Sequence, residues 1–200
     1  MLFSVNAPKC LFSPAQNKKL KQEVFTKLVA KLRSGHDGQV LEAIEEIARN
    51  GSPEILPELA RLITNNRNRE VLAAARTIFF DLKNPESVEV LKNIIDETTD
   101  KDTKQVIVAA CWENGLNFSV HLSFFVNLVL DEDYLISIEA FTVIENMPGP
   151  FVNEDVQQCL DTVYNWLDGP GSENEGIVNS LLEVLKGFAN SGMHNKYIYN

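Results

Sequence analysis

Three histidines, three cysteines and one run of acids are the residues of this chain best able to do chemistry, and their spacing limits what that chemistry can be. His36, His121 and His194 lie far apart, and none has a second histidine at a metal-ligand offset. His36 falls in the loop signal Ser34-Gly35-His36-Asp37-Gly38 and His194 in the C-terminal tail. His121 lies between Val120 and Leu122 in the most apolar segment, where a hydrogen-bonded, partly buried imidazole is expected. Cys10, Cys111 and Cys159 include no Cys-x-x-Cys pair, so free thiols are expected, the last two as small core residues. Asp131-Glu132-Asp133 lacks the alternating acids, central glycine and closing glutamate of an EF-hand loop, and reads as acids supplied to the start of the next helix. There is no phosphate-cradling glycine loop, no Gly-x-Ser-x-Gly turn and no histidine–carboxylate pair at helical spacing. The sequence therefore nominates no catalytic residue, no metal ligand and no cofactor.

The elements that would position any site are helical. Ser13-Pro14-Ala15-Gln16 combines a hydroxyl cap, a proline at the first helical position and a glutamine three residues after the cap. Behind it Leu20, Val24, Phe25, Leu28, Val29 and Leu32 form one helical stripe. Val40, Leu41, Ile44, Ile47 and Ala48 form a second, closed by Asn50-Gly51, where a left-handed cap is expected. Ser52-Pro53-Glu54 and Asn84-Pro85-Glu86 repeat one start signal, a polar cap followed by proline and an acid. Ser172-Glu173-Asn174-Glu175 reads as a capping box for a last helix carrying Ile177, Val178, Leu181, Leu182, Leu185 and Phe188. Met193 to Asn200 remains as a tail too short for another helical pair.

Shifting the chain by thirty-odd residues aligns Ile47, Ile78, Trp112 and Val143, and three positions earlier Ile44, Ala75, Ala109 and Ala140. On the second helix of each pair the same shift aligns Pro57, Glu89, Ser123 and Gln157, then Arg61, Asn93, Asn127 and Asp161. These second rungs are polar apart from the proline and lie opposite the apolar stripes. Helical pairs of this length cannot bury their stripes alone and must stack. The stretches Ala48-Arg-Asn-Gly-Ser-Pro-Glu-Ile-Leu-Pro-Glu-Leu and Asp81-Leu-Lys-Asn-Pro-Glu-Ser-Val-Glu-Val-Leu resemble the HEAT-repeat family, in particular short bacterial HEAT-like repeats. The fold this implies is all-α, a right-handed α-solenoid of about four helical pairs with a capping helix at each end. Residues 1–36 would be the tail and basic capping helix, 37–168 the repeats and 169–200 the C-terminal capping helix and tail. Met147-Pro148-Gly149-Pro150 departs from the repeat pattern by lengthening the fourth inter-helix turn.

Trp112 is expected in the core, because it occupies a rung held elsewhere by isoleucine or valine. The segment Phe118 to Leu130 has only Ser119, Ser123 and Asn127 for a polar face; either it is central and covered, or it exposes an apolar patch around Phe124 and Phe125.

Composition and charge narrow the function. With 200 residues, 44% hydrophobic and 23% charged, the chain is that of an ordinary globular protein. Its formal charge of −10 argues against nucleic acid as a partner. No apolar run approaches the roughly 18 residues that span a bilayer, and no secretory leader pattern opens the chain, so a cytoplasmic location with no membrane partner is expected. Up to Ser34 seven basic residues oppose Glu23 alone, whereas thirteen acids and no Lys or Arg lie between Lys104 and Lys186. The acidic half reads either as a solvated face or as a docking surface. The basic first helix and the acidic second half would give a monomer with weak head-to-tail association at low salt.

The function implied by the resemblance is a non-catalytic protein- or peptide-binding scaffold or adaptor, with a basic partner on its acidic surface. The partner-binding residues are then Arg61, Glu86, Glu89, Asn93, Asn127, Glu154, Gln157 and Asp161. Two alternatives stand beside it: a HEAT-like enzyme similar to phycobilisome-type lyases, and an acidic, immunity-type inhibitor of a basic protein.

Overall fold

The computed structural model describes residues 14–64, 68–170 and 173–195, with side chains described within 21–190. Ten α-helices and no strand occur among the described residues: α1 (Pro14–Leu32), α2 (Asp37–Asn50), α3 (Leu56–Thr64), α4 (Arg69–Phe80), α5 (Ser87–Glu97), α6 (Lys101–Glu113), α7 (Leu122–Asp131), α8 (Tyr134–Glu145), α9 (Asn153–Leu167) and α10 (Glu175–Asn195). Single 3-10 turns at Pro53–Ile55 and Ser119–His121 lead into α3 and α7. The chain divides into two compact units, Met1–Gly51 and Ser52–Asn200.

In the first unit α1 packs on α2. Leu28, Leu32, Val40, Ala43, Ile44 and Ile47 are buried, and Lys31 Nζ reaches Glu42 Oε2 at 3.1 Å and Glu46 Oε2 at 3.8 Å. The expected stripe of α1 is buried only at its C-terminal end, since Val24 is exposed, and Leu20 lies outside the described side chains. Gly51 also departs from expectation. Its backbone is extended (φ −68°, ψ 156°), not left-handed, and its N–H donates to the Ile47 carbonyl at 2.7 Å.

In the second unit the helices stack in two layers, α3, α5, α7 and α9 in one and α4, α6, α8 and α10 in the other. Across the layers α3 packs on α4, α5 on α6, α7 on α8 and α9 on α10, and α6 packs on α3 as closely as on α5. The even layer is set in register by its caps. Asn68 accepts a hydrogen bond from Glu70 N (2.9 Å), Asp100 from Thr103 N (2.9 Å) and Asp133 from Ile136 N (3.2 Å). Three, seven and eleven residues after each cap the same wall recurs: Val71, Ala75 and Phe79; Thr103, Ile107 and Cys111; Ile136, Ala140 and Ile144. All nine are at most 1% exposed, and the one hydroxyl among them, on Thr103, shares a 3.1 Å hydrogen bond with Thr64.

That wall corrects the first-helix ladder in its third repeat. Ile107 and Ala110 are the buried rungs there, whereas Ala109 and Trp112 are only half-buried. A slip of two residues turns a helix by about 200°, enough to move a rung from the inner face to the opposite side. The odd helices carry the rest of the core: Leu56, Leu59 and Ile63, then Val88, Leu91 and Ile95, then Phe125 and Val129, then Val156, Leu160 and Val163. The segment Phe118 to Leu130 is thereby settled as central. Phe125 is fully buried and meets Phe118 and Phe124 edge to face. On α10, Val178, Leu181, Leu182 and Leu185 are buried and Phe188 stacks on Phe151 at 4.1 Å. That helix starts at Glu175 and runs to Asn195, so residues 193–195 of the expected tail are helical, and the proposed capping residue Ser172 lies outside the described residues. The long turn 147–150 is tied down by Ser119 Oγ, which accepts from Gly149 N, and by Asn117 Nδ2, which donates to Gly149 O, both at 2.9 Å.

Candidate functional site

The polar rungs all face solvent. Pro57 and Arg61 on α3, Glu89 and Asn93 on α5, Ser123 and Asn127 on α7, and Gln157 and Asp161 on α9 are exposed, as are Glu86 before α5 and Glu154 in the first turn of α9. They are exposed because the positions between them, such as Leu59, Leu91, Val126 and Leu160, are taken into the core, which leaves the opposite face of each odd helix to water. α3 packs beside α5, and α7 beside α9. The seam between α5 and α7 is spanned by Glu89 Oε2, 3.0 Å from His121 Nε2, and by the Lys92 ammonium, 5.2 Å from the Phe124 ring centroid. Arg61 turns along its own helix, with Nη1 2.6 Å from Glu58 Oε1. Among the described residues no hydrogen bond or ion pair joins two of the eight predicted side chains directly.

The charge of this layer is uneven. α3 and α5 present Arg61 and Lys92 beside their acids, whereas α9 presents Glu154, Asp155 and Asp161 with no basic residue along its length. Two concavities open near the row. One of about 300 Å³ is lined by Pro57, Arg61, Thr64, Glu97, Thr98 and Asp100. Another of about 480 Å³ is lined by Glu132, Asn165, Trp166, Glu173 and Asn174, with the Trp166 indole N–H donating to the Leu130 carbonyl at 3.2 Å.

The histidine–carboxylate contact His121–Glu89 was hidden from sequence spacing, because its partners are 32 residues apart and meet only through stacking. Glu89 is open to solvent, and among the described residues no Ser, Thr or Cys side chain hydrogen-bonds to either partner. Cys111 and Cys159 are free and buried. Cys111 Sγ donates to the Ile107 carbonyl at 3.3 Å, and burial raises its pKa strongly. Burial, with Asp155 nearby, pushes Cys159 up to about 11. Both thiols are therefore held protonated, against nucleophilic use. The run Asp131-Glu132-Asp133 caps and pairs: Asp133 caps α8 and meets Lys101 at 3.0 Å, and Glu132 meets Lys104 at 2.6 Å. Among the described residues no group of three or more His, Cys, Asp or Glu is placed to hold a metal ion, and no helix is long and apolar enough to cross a membrane.

No curated protein and no solved structure matches the chain. Residues 25–112, from within α1 to the last turn of α6, match the family model for HEAT repeats. Residues 25–112 therefore carry HEAT repeats, and helices go on stacking in the same two layers beyond them through α10.

Proposed function

We propose that this protein is a non-catalytic scaffold or adaptor that binds a basic protein or peptide along the exposed row of α3, α5, α7 and α9. HEAT repeats generally serve as protein-interaction scaffolds, which supports the class. The observation that carries the finer reading is the row itself. Arg61, Glu89, Asn93, Asn127, Gln157 and Asp161 stand exposed on two rungs of the four helices of one layer, with Glu86 before α5 and Glu154 in the first turn of α9. Its α7–α9 half lies in a stretch of chain free of Lys and Arg. Such a row offers polar contacts at regular intervals, and its charge steers a cationic partner toward it.

The test is affinity capture at low and high salt, followed by binding of the captured partner to a Glu89→Lys, Asp161→Lys double variant. Reversing two exposed charges leaves the fold intact and is expected to weaken binding by about tenfold or more at low salt, mostly through slower association. Unchanged affinity at low salt would remove this face as the site.

A further inference from the structure

Opposite the polar row, the outer face of α8 breaks the pattern of its layer. Counted from the N-caps, the second and fifth positions are Glu70 and Ala73 on α4, and Asp102 and Gln105 on α6. On α8 they are Leu135 and Ile138, 56% and 38% exposed, and Tyr134 beside them is 46% exposed. At a 100° turn per residue, Leu135, Ile138 and Tyr134 fall on one side of the helix, opposite Ile136, Ala140 and Val143 in the core. Trp112 extends the stripe toward α6, where its indole N–H donates to Glu139 Oε2 at 2.9 Å and its ring stays half-exposed. Scattered exposed apolar residues need no partner, but three bulky ones on one helix face, with the half-buried Trp112 beside them, are more than solubility tolerates without a use.

The surroundings state what fits there. Glu139 and Glu145 flank the stripe on α8 and Glu113 ends α6, while the two cations of this face, Lys101 and Lys104 at the start of α6, are already paired with Asp133 and Glu132, and no further Lys or Arg occurs before Lys186. Two copies meeting through this face about a two-fold axis would bring Glu113, Glu139 and Glu145 of both into one contact, a gathering of like charge whose two nearby cations are already paired. A partner with apolar anchors and basic flanks meets neither penalty. We infer that the α6–α8 face is a second docking surface, and that it takes an amphipathic helix of a partner protein with apolar side chains at i, i+3, i+4 and i+7 and Lys or Arg on its flanks. This surface is separate from the polar row and does not depend on it.

The probe is a labelled peptide of about 18 residues, five helical turns, built only of Leu and Lys in that spacing, with a Leu/Glu counterpart as the charge control. Fluorescence anisotropy with the full chain is expected to show binding of the Leu/Lys peptide that weakens as salt rises, and at least about tenfold poorer binding of the Leu/Glu peptide. Leu135→Ser with Ile138→Ser should lower Leu/Lys affinity by about tenfold or more, while Glu89→Lys with Asp161→Lys leaves it unchanged. If circular dichroism shows the double serine variant unfolded, Leu135→Gln alone replaces it, with about a threefold loss expected. Undiminished binding by the stripe variants, equal binding of the two peptides, or no binding at all overturns the proposal. So does a wild-type dimer in light scattering that Leu135→Ser with Ile138→Ser makes monomeric, because a second copy would then be the occupant.

Discussion

Lys104 Nζ lies 2.6 Å from Glu132 Oε1, with the two side chains only 14% and 21% exposed. The pair joins the first turn of α6 to the turn between α7 and α8, and the backbone carbonyl of Glu132 accepts two further hydrogen bonds, from Asn174 Nδ2 (2.9 Å) and Ser137 Oγ (3.1 Å). One two-residue connection thus holds α6, α8 and the residue before α10 together.

Removing the cation alone should cost more than an exposed pair is worth. Lys104→Met leaves Glu132 partly desolvated without its partner, and a loss of about 1–3 kcal/mol is expected, against about 0–1 for exposed pairs. Glu132→Gln on top of Lys104→Met should restore part of that loss, since no charge is then left alone. Urea unfolding of the two variants checks both statements; a Lys104→Met chain within about 0.5 kcal/mol of the parent contradicts them.

A second ion pair at the same turn sets an acid-side dependence. The Lys101 ammonium holds the Asp133 carboxyl below its usual range, and two hydrogen bonds from Thr103 do the same for Asp100. A carboxyl whose pKa is lower folded than unfolded adds stability that is fully present above about pH 4 and is lost as pH falls through the folded value. The melting temperature should therefore be flat through the neutral range with respect to these groups and fall on acidification below about pH 4. Asp133→Asn and Asp100→Asn should each make that fall shallower. Equal acid slopes in parent and variants would contradict the assignment. Lys101, raised by Asp133, gives the mirror effect: its contribution is present below its unfolded pKa and is lost as pH rises through the folded one.

What was legible in the sequence was local chemistry, and what was hidden depended on contacts between repeats. Asp131-Glu132-Asp133 could be read as helix-start acids because capping is settled within four residues, and Asp133 does cap α8. The polar rungs were legible because helical period alone places them opposite Leu59, Leu91 and Leu160. The third rung of the first-helix ladder was misplaced by two residues. Apolar character alone cannot separate Ala109-Ala110-Cys111-Trp112; the register is fixed by the cap at Asp100, which accepts from Thr103 N. Phe124 and Phe125 could be patch or core by sequence, and only the neighbours of α7 decide it, burying Phe125 and leaving Phe124 beside Lys92. The stripe Leu135–Ile138 is hidden in the sequence for the opposite reason. An apolar helix reads as buried all round until the structure shows which side no neighbour covers.

Gly51 offers a prediction that separates two reasons for a glycine at a helix end. A left-handed C-cap needs glycine for its φ, and asparagine tolerates that conformation nearly as well. Gly51 has φ −68°, so conformation is not the demand; a Cβ there would lie 2.6 Å from the Ile47 carbonyl oxygen and 2.7 Å from Ile47 Cγ2. The oxygen is backbone and already accepts the Gly51 N–H, and Ile47 is 5% exposed, so neither contact can give way cheaply. Gly51→Ala is expected to destabilise by about 1–3 kcal/mol, and Gly51→Asn by at least as much. Gly38, in the first turn of α2, has nothing within 4 Å of a built Cβ, and Gly38→Ala should stabilise by up to about 0.5 kcal/mol by reducing the freedom of the unfolded chain. Circular dichroism during urea unfolding of the three variants reads all of these. An asparagine variant clearly more stable than the alanine one would mean that residue 51 adopts the left-handed conformation in solution and that crowding against Ile47 is not what selects glycine.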